Sequence, residues 1–231
     1  MILHQSETRG LANHGWLTSR HTFSFADYYN PGRMGFGALR VINDDEVDAN
    51  MGFGRHPHKD MEIISIPLEG ALHHQDSEEN NGLINKGEVQ IMSAGTGIVH
   101  SEKNASDINP VKFLQIWVLP KKLGVKPRYE QKSFDLKNNE LKLVVSPDGS
   151  EGSVTINQDA FFSMGKLESQ KSLSYQIKIE GNGIYIFVIS GEVDVNGQRL
   201  ANRDGLGILD TESIEIKGLQ NSEIVLMEVP H

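Results

Sequence analysis

Short apolar segments, separated by turn residues, run along the whole chain. They are rich in Val, Ile, Leu and Phe, and glycine or other turn-forming residues lie between them. No long segment has the spacing of apolar residues typical of an amphipathic helix. Many short strands joined by turns predict an all-β protein, built as a sandwich or a barrel. The clearest segments are residues 38–42, 62–66, 89–92, 113–119, 141–145, 174–179, 184–189 and 224–229.

A weak internal repeat divides the chain into two similar parts. Both copies have the order strand, glycine turn, strand, glycine, strand. Repetition of this kind indicates that one structural unit occurs twice. We therefore predict two tandem β-barrels, the first covering residues 1–130 and the second covering residues 131–231. The copies are residues 66–70 with 86–92, and residues 188–192 with 204–209.

The charge balance excludes several classes of partner. The chain has 22 Lys and Arg against 31 Asp and Glu, which gives a net charge of −9. Phosphate contacts need concentrated positive charge, so we expect no direct binding to nucleic acid and no adhesion to an anionic membrane. The longest apolar run, 184–189, is far shorter than the roughly 20 residues of a membrane span. Residues 1–10 lack the basic and apolar regions of a signal peptide, so we expect a cytoplasmic protein.

Cysteine is absent from the chain. Its absence excludes disulfides, thiolate metal ligands and cysteine nucleophiles. Any metal site must therefore use imidazole and carboxylate ligands. Eight of the nine histidines lie within the first 100 residues, so we expect the chemistry of the protein to reside in its first half.

Two short stretches each place a pair of possible metal ligands on one face of a strand. His56 and His58 are two residues apart, and Pro57 keeps the backbone between them extended. His100 and Glu102 have the same spacing. Glu62 has the same parity as the first pair, so parity alone leaves two candidate carboxylates.

Together the two strands can supply three imidazole nitrogens and one carboxylate oxygen to a single ion. Unpaired buried imidazoles and carboxylates are energetically costly, and one metal ion would remove that cost for all of them. Such ligands suit iron, manganese, nickel, copper or zinc, and a site with open positions favours the chemistry of non-haem iron.

These residues also resemble a known family. His56, His58 and Glu62, followed by Gly70, resemble the first cupin motif, and Gly87 with His100 and Asn104 resembles the second. A more specific likeness lies in residues 21–29, 53–62, 68–70, 74–76, 93–102 and 115–117. Through these stretches the chain resembles the pirin family over essentially its whole length.

The resemblance implies a bicupin, that is, two tandem jelly-roll-type cupin barrels with the metal in the N-terminal one. By likeness to pirins the ligands are His56, His58, His100 and Glu102, whereas the broader cupin pattern would use Glu62. The resemblance also implies one divalent transition metal, with Fe(II) preferred among first-row ions. It implies quercetin 2,3-dioxygenase activity with a flavonol and O₂ as substrates. Because Glu102 would lie beside the metal, we expect it to act as the catalytic base.

Two other functions remain open at this point. The protein could be a metal-dependent or redox-dependent regulatory module that acts through a protein partner. It could also be a metal-free cupin epimerase, which the paired ligands disfavour. In the second barrel Ile177, Ile179 and Gly218 match the three histidines, so we expect no metal there. We expect that barrel to cover part of the pocket mouth.

Several further residues have less specific interpretations. We expect Phe53 to form an apolar pocket wall and the acidic run Asp44-Asp45-Glu46 to form a solvated turn. His73 and His74 read as part of a polar turn. The N-terminal histidines, His14 and His21, are expected to be structural or to lie at the pocket rim. The polar and apolar strand residues expected mainly in the core are Gln90, Met92, Gln115 and Trp117.

Overall fold

The computed structural model describes residues 1–231, and nearly all of its regular secondary structure is β-strand. The only helices are two 3-10 turns, Ser6–Thr8 and Ser150–Gly152, and neither is long enough to cross a membrane. The strands up to the middle of the chain are β1 (Ile2–His4), β2 (Gly10–Asn13), β3 (Leu17–His21), β4 (Leu39–Val47), β5 (Gly52–His58), β6 (Glu62–Glu69), β7 (Ala71–Asp76), β8 (Asn81–Asn85), β9 (Glu88–Ser93), β10 (Ile98–Asn104), β11 (Val111–Val118) and β12 (Arg128–Ser133). The later strands are β13 (Glu140–Ser146), β14 (Val154–Thr155), β15 (Phe161–Leu167), β16 (Ser172–Gln176), β17 (Asn182–Ser190), β18 (Val193–Val195), β19 (Gln198–Leu200), β20 (Gly205–Ile208), β21 (Ser213–Gly218) and β22 (Ser222–Pro230).

The strands form four sheets, two in each half of the chain. In the first half a seven-stranded sheet, ordered β12-β9-β6-β11-β4-β3-β2, faces a four-stranded sheet, β5-β10-β7-β8. The second half repeats this plan with β1-β20-β17-β22-β15-β13-β14 and β16-β21-β18-β19. The sheets are jelly-roll-like rather than closed barrels. The repeat seen in the sequence, which includes glycine turns at Gly70 and Gly191 with positive φ, therefore corresponds to a repeated structural unit.

The two seven-stranded sheets pack against each other and share the largest apolar core. This core of 26 buried residues includes Ile64 and Leu114 from the first half and Phe187 and Met227 from the second. Both faces of these sheets are buried, which explains why β6 and β17 are apolar almost without interruption.

The two halves exchange strands at their edges. β1 lies next to β20 of the second half, with Ile2 opposite Gly207. β12 lies next to β9 of the first half, with Arg128 opposite Ser93. A division of the chain at 130/131 therefore falls inside β12, and it separates β1 from its sheet.

The interiors of the two halves differ in polarity. In the second half, 14 buried apolar residues fill the space between the sheets. In the first half the interior contains two smaller apolar clusters, one around Phe113 and one around Ile63 and Met92. Along β11, Gln115 lies between Phe113 and Trp117, which belong to different clusters. The candidate site lies among the polar side chains, including Gln115, between these two apolar clusters.

Candidate metal centre

Strands β5 and β10 bring three histidines together. The strands are antiparallel, with His56 opposite His100 and His58 opposite Ile98. Alternate residues of a strand share a face, so His56 and His58 both point toward His100. His100 is only 1% exposed, whereas His56 and His58 are half-buried.

The three imidazole rings converge on a single point. The Nε2 atoms of His56 and His100 are 3.0 Å apart, and the three ring centroids are separated by 4.4 to 4.9 Å. One nitrogen from each ring lies within 4.8 Å of the other two. Nδ1 of His56 lies 2.8 Å from the carbonyl oxygen of Gly54. That oxygen can only accept, so Nδ1 carries the proton and Nε2 keeps its lone pair.

The surroundings favour the uncharged form of His58 and His100. Burial, followed by the charge of His56, lowers the pKa of His58 to about 4. Burial and the neighbouring histidines lower the pKa of His100 to about 2. Nδ1 of His100 is buried and has no hydrogen-bond partner. Neutral imidazoles are the form that binds metal ions.

Glu102 lies two residues beyond His100 and is 2% exposed. Its carboxylate accepts a hydrogen bond from Ser65 Oγ at 3.0 Å and one from Gln115 Nε2 at 2.6 Å. Burial raises the pKa of Glu102 to about 7, although these two donors oppose the rise. Ligand atoms of Glu102, His100 and His74 lie within 4.8 Å of one another. His100 therefore belongs to two clusters of possible ligands.

Glu62, the competing carboxylate, points elsewhere. Its Oε2 accepts hydrogen bonds from Ser93 Oγ at 2.7 Å and from the backbone N–H of Asn157 at 3.1 Å. Burial raises its pKa, and its other oxygen has no partner. Glu62 belongs to neither cluster of possible ligands. Its side chain joins the two halves of the protein, and this geometry favours Glu102 over Glu62.

His74 is closer to the site than its sequence suggests, because it lies on β7 rather than in a turn. It is fully buried and stands opposite Glu102 on β10. Its Nε2 lies 3.1 Å from the carboxylate of Asp76, and the Tyr129 ring is 4.8 Å away. His73 points to the other face and bonds to Asn81. His74 and Asp76 are two residues apart and so share one face of β7. This spacing is the sequence signal that could have distinguished the buried His74 from His73.

A cavity of about 560 Å³ opens beside the histidines. Phe53 forms part of its wall, as expected, and His14 and His21 also line it. Gln115 and Trp117 face this cavity rather than the core alone. Every lining residue lies between positions 11 and 117. The expectation that the second barrel covers the pocket mouth is therefore wrong, because the N-terminal segment around Phe25 and Tyr28 occupies that place.

The acidic run at 44–46 lies inside β4, so its interpretation as a solvated turn is wrong. Asp45 is 4% exposed and faces the cavity, whereas Glu46 points to solvent. Burial raises the pKa of Asp45 to about 7. Alternation along the strand between Asn43, Asp45 and Val47 was the available signal.

In the second half, Ile177 and Ile179 are the residues that the repeat matches to His56 and His58. A carboxylate lies beside this segment. Glu228 on β22 accepts hydrogen bonds from the backbone N–H groups of Lys178 and Ile179. It also accepts bonds from Tyr175 Oη at 2.7 Å and from Asn182 Nδ2 at 2.9 Å. Glu228 thus fixes the segment between β16 and β17.

The fold and the histidine cluster define the class of protein: the chain is a bicupin with a candidate metal centre in its first half. A solved oxalate decarboxylase from Lactobacillus farciminis shares this fold alone. It is 11% identical, with a TM-score of 0.68, and the match covers 99% of this chain and 85% of that one.

Comparison with known proteins then identifies the family. A profile described as Pirin matches residues 4–118, and a profile described as Quercetinase C-terminal cupin domain matches residues 143–229. The chain belongs to the pirin family. It is 47% identical over 230 residues to Quercetin 2,3-dioxygenase of Escherichia coli (strain K12), covering 100% of this chain and 99% of that protein.

Two further relatives also match this chain over nearly its full length. The chain is 41% identical over 222 residues to a Pirin-like protein of Caulobacter vibrioides, with 95% of each protein covered. Its structure matches that of the bacterial pirin YhhW from Escherichia coli in complex with nickel(II). The TM-score is 0.95 at 46% identity, over 99% of this chain and 98% of that one.

Proposed function

We propose that this protein is a metal-dependent dioxygenase that cleaves flavonols such as quercetin with O₂. The observation that carries the proposal is the cluster of three converging imidazoles, two of which line a cavity, in a pirin-family chain. The quercetin 2,3-dioxygenase relatives support the reaction and its small aromatic substrate. No specific feature of the structure favours the regulatory alternative.

The proposed metal ligands are His56, His58, His100 and Glu102. Two imidazole nitrogens 3.0 Å apart suit a single first-row ion, which holds each nitrogen at about 2.0–2.1 Å. A divalent metal agrees with the nickel complex of YhhW, and we propose Fe(II) as the ion used for O₂ chemistry.

When bound, the metal would lower the pKa of a coordinated hydroxyl group and provide the redox centre for O₂ chemistry. The chain itself would position the substrate and move its proton. Glu102 lines the cavity together with His56 and His58, so its ionised carboxylate can accept the proton of the substrate 3-hydroxyl. Ser65 and Gln115 hold that carboxylate in place.

The cavity walls suit a flat aromatic molecule. The Phe25 and Trp117 rings meet edge to face, with centroids 5.3 Å apart, and Trp117 packs 4.9 Å from His58. Phe53 also lines the cavity, and the Trp16 ring packs edge to face against it at 5.4 Å. Apolar rings on several sides would exclude water from the reacting oxygen and carbon atoms.

The test is turnover of quercetin by protein loaded with Fe(II). The measurements are flavonol bleaching, O₂ uptake and carbon monoxide release. We expect His58→Ala to reduce the rate by at least about 100-fold, because outer-sphere changes alone give about 10–100-fold. His73→Ala is the matched control, since His73 lies outside the cluster and the cavity lining. Equal slow rates in wild type and His58→Ala would refute the enzymatic function.

A further inference from the structure

A row of polar side chains leads from Glu102 along the cavity, and its last three members line the cavity. Ser65 stands opposite Gln115, Gln115 opposite Asn43, and Asn43 opposite His21. The row therefore passes over β6, β11, β4 and β3 at one level. Its first two members hold Glu102, and its last member lies two strands further on. Two strand spacings amount to about 10 Å.

His21 ends this row with a free acceptor. It is 3% exposed, and its Nδ1 lies 2.8 Å from the Oδ1 atom of Asn43. An amide oxygen only accepts, so the proton is on Nδ1 and the lone pair is on Nε2. Burial lowers the pKa of His21, which keeps the ring neutral. Nε2 has no partner in the protein, is not sealed from solvent, and belongs to a side chain that lines the cavity.

Asp45 provides a second free acceptor beside it. Its Oδ1 accepts a hydrogen bond from Ser19, its neighbour on β3. Its Oδ2 has no protein partner and is accessible from the cavity that Asp45 lines. The raised pKa of Asp45 reflects a buried carboxylate with a single side-chain donor. A ligand that donates a hydrogen bond would reduce the cost of burying it.

Aromatic rings frame these two acceptors. Phe25 lies 5.3 Å from the His21 ring, and Tyr28 stacks on it at 6.3 Å with an interplanar angle of 27°. This wall combines flat apolar surfaces with acceptors and has no Lys or Arg among the cavity-lining residues. Its chemistry suits an aromatic ring with hydroxyl groups and disfavours a carboxylate or a phosphate.

We propose that Asp45 and His21 form a second subsite, which accepts hydrogen bonds from hydroxyl groups on a substrate ring remote from the reacting 3-hydroxyl. The subsite makes the protein selective for polyhydroxylated flavonols over flavonols that have only the 3-hydroxyl. This inference rests on the proposed function, because it takes the 3-hydroxyl to lie at the histidine cluster.

The test is anaerobic binding to nickel-loaded protein, since binding is then separated from turnover. The three probes are quercetin, 3,5,7-trihydroxyflavone and 3-hydroxyflavone, which all share the 3-hydroxyl. At pH 8, where Asp45 is ionised, we expect wild type to bind quercetin about tenfold more tightly than 3-hydroxyflavone, as one hydrogen bond to a charged group provides. We expect 3,5,7-trihydroxyflavone to share this gain if the ring with the 5- and 7-hydroxyls reaches the subsite, and to lack it if the other ring does. The comparison among the three identifies the ring that reaches the subsite.

Asp45→Asn should remove this preference and leave the dissociation constant of 3-hydroxyflavone within about twofold of wild type. His21→Phe, which keeps the ring but removes both nitrogens, provides a second variant should Asp45→Asn fold poorly. Glu46→Gln is the matched control, because Glu46 is the next residue on β4 and points to solvent.

Equal wild-type affinity for the three probes would overturn the subsite, and so would an equal loss of affinity for all three in Asp45→Asn. The failure of every probe to bind wild type would instead contradict the proposed flavonol function. Binding and turnover without selectivity would therefore refute this inference alone.

Discussion

Replacing Glu102 with Gln tests the role of this carboxylate through the stability of metal-free protein. The Glu102 pKa is about 7 in the folded chain against an ordinary value of 4.5, a difference of about 2.5. At 1.36 kcal/mol for each pKa unit, the buried ionised carboxylate costs about 3 kcal/mol at pH 8. Gln has nearly the same shape and no charge, so it removes this cost.

The sign of the pH dependence follows from the raised pKa. Between pH 4.5 and 7 the unfolded chain loses the Glu102 proton while the folded chain keeps it, so stability falls as pH rises. Glu102→Gln lacks this loss. We expect its advantage over wild type to be about 2 to 3 kcal/mol larger at pH 8 than at pH 5.

Urea unfolding of chelator-treated proteins at both pH values measures this difference. Glu46→Gln is the control, because Glu46 is exposed, and it should show no comparable pH-dependent gain. A Glu102→Gln variant that is less stable than wild type at pH 8 without metal would refute the reasoning. With metal present the order should reverse, because ligand binding stabilises only the protein that retains its affinity.

Three further predictions concern other parts of the molecule. Metal binding at pH 6 should release about one proton fewer in Glu102→Gln than in wild type, because the raised pKa of Glu102 leaves its carboxyl protonated before the metal binds; calorimetry in buffers of different ionisation enthalpy measures the difference. Gly10→Ala should weaken flavonol binding in a titration, because a Cβ at position 10 would overlap the Tyr28 ring that lines the cavity; unchanged affinity would contradict this. Glu228→Gln should lower the free energy of unfolding by about 2 kcal/mol, since it weakens four hydrogen bonds, and elemental analysis should find the metal content unchanged.

The sequence was most informative where the spacing of residues determines geometry. Parity on extended strands placed His56 and His58 on one face, and the structure brings His100 to the same point. The glycine-centred repeat predicted two similar β units, and the paired sheets confirm that they exist. The family likeness also predicted the bicupin fold, which the profiles confirm.

Other features depended on contacts that a linear pattern does not contain. Glu62 and Glu102 have equivalent parity, and only the hydrogen bonds of Glu62 to Ser93 and Asn157 separate them. Asp45 lies in an acidic run typical of a turn, yet its pairing with Ser19 buries it. The division into residues 1–130 and 131–231, the metal ligand set and the cytoplasmic location stay predictions.

Strand β1 leaves the ribosome long before its partner is made. Ile2 pairs with Gly207, which lies 205 positions later in the chain. At about 5–20 residues per second, β1 waits roughly 10–40 s for β20. The first unit can form its own sheets during this interval, whereas the second cannot complete its edge without a segment already synthesised. A C-terminal fragment translated alone would expose the backbone groups of β20 as an open edge. Co-translational assembly of this protein therefore ends with its N-terminal residues, and the order of folding differs from the order of synthesis.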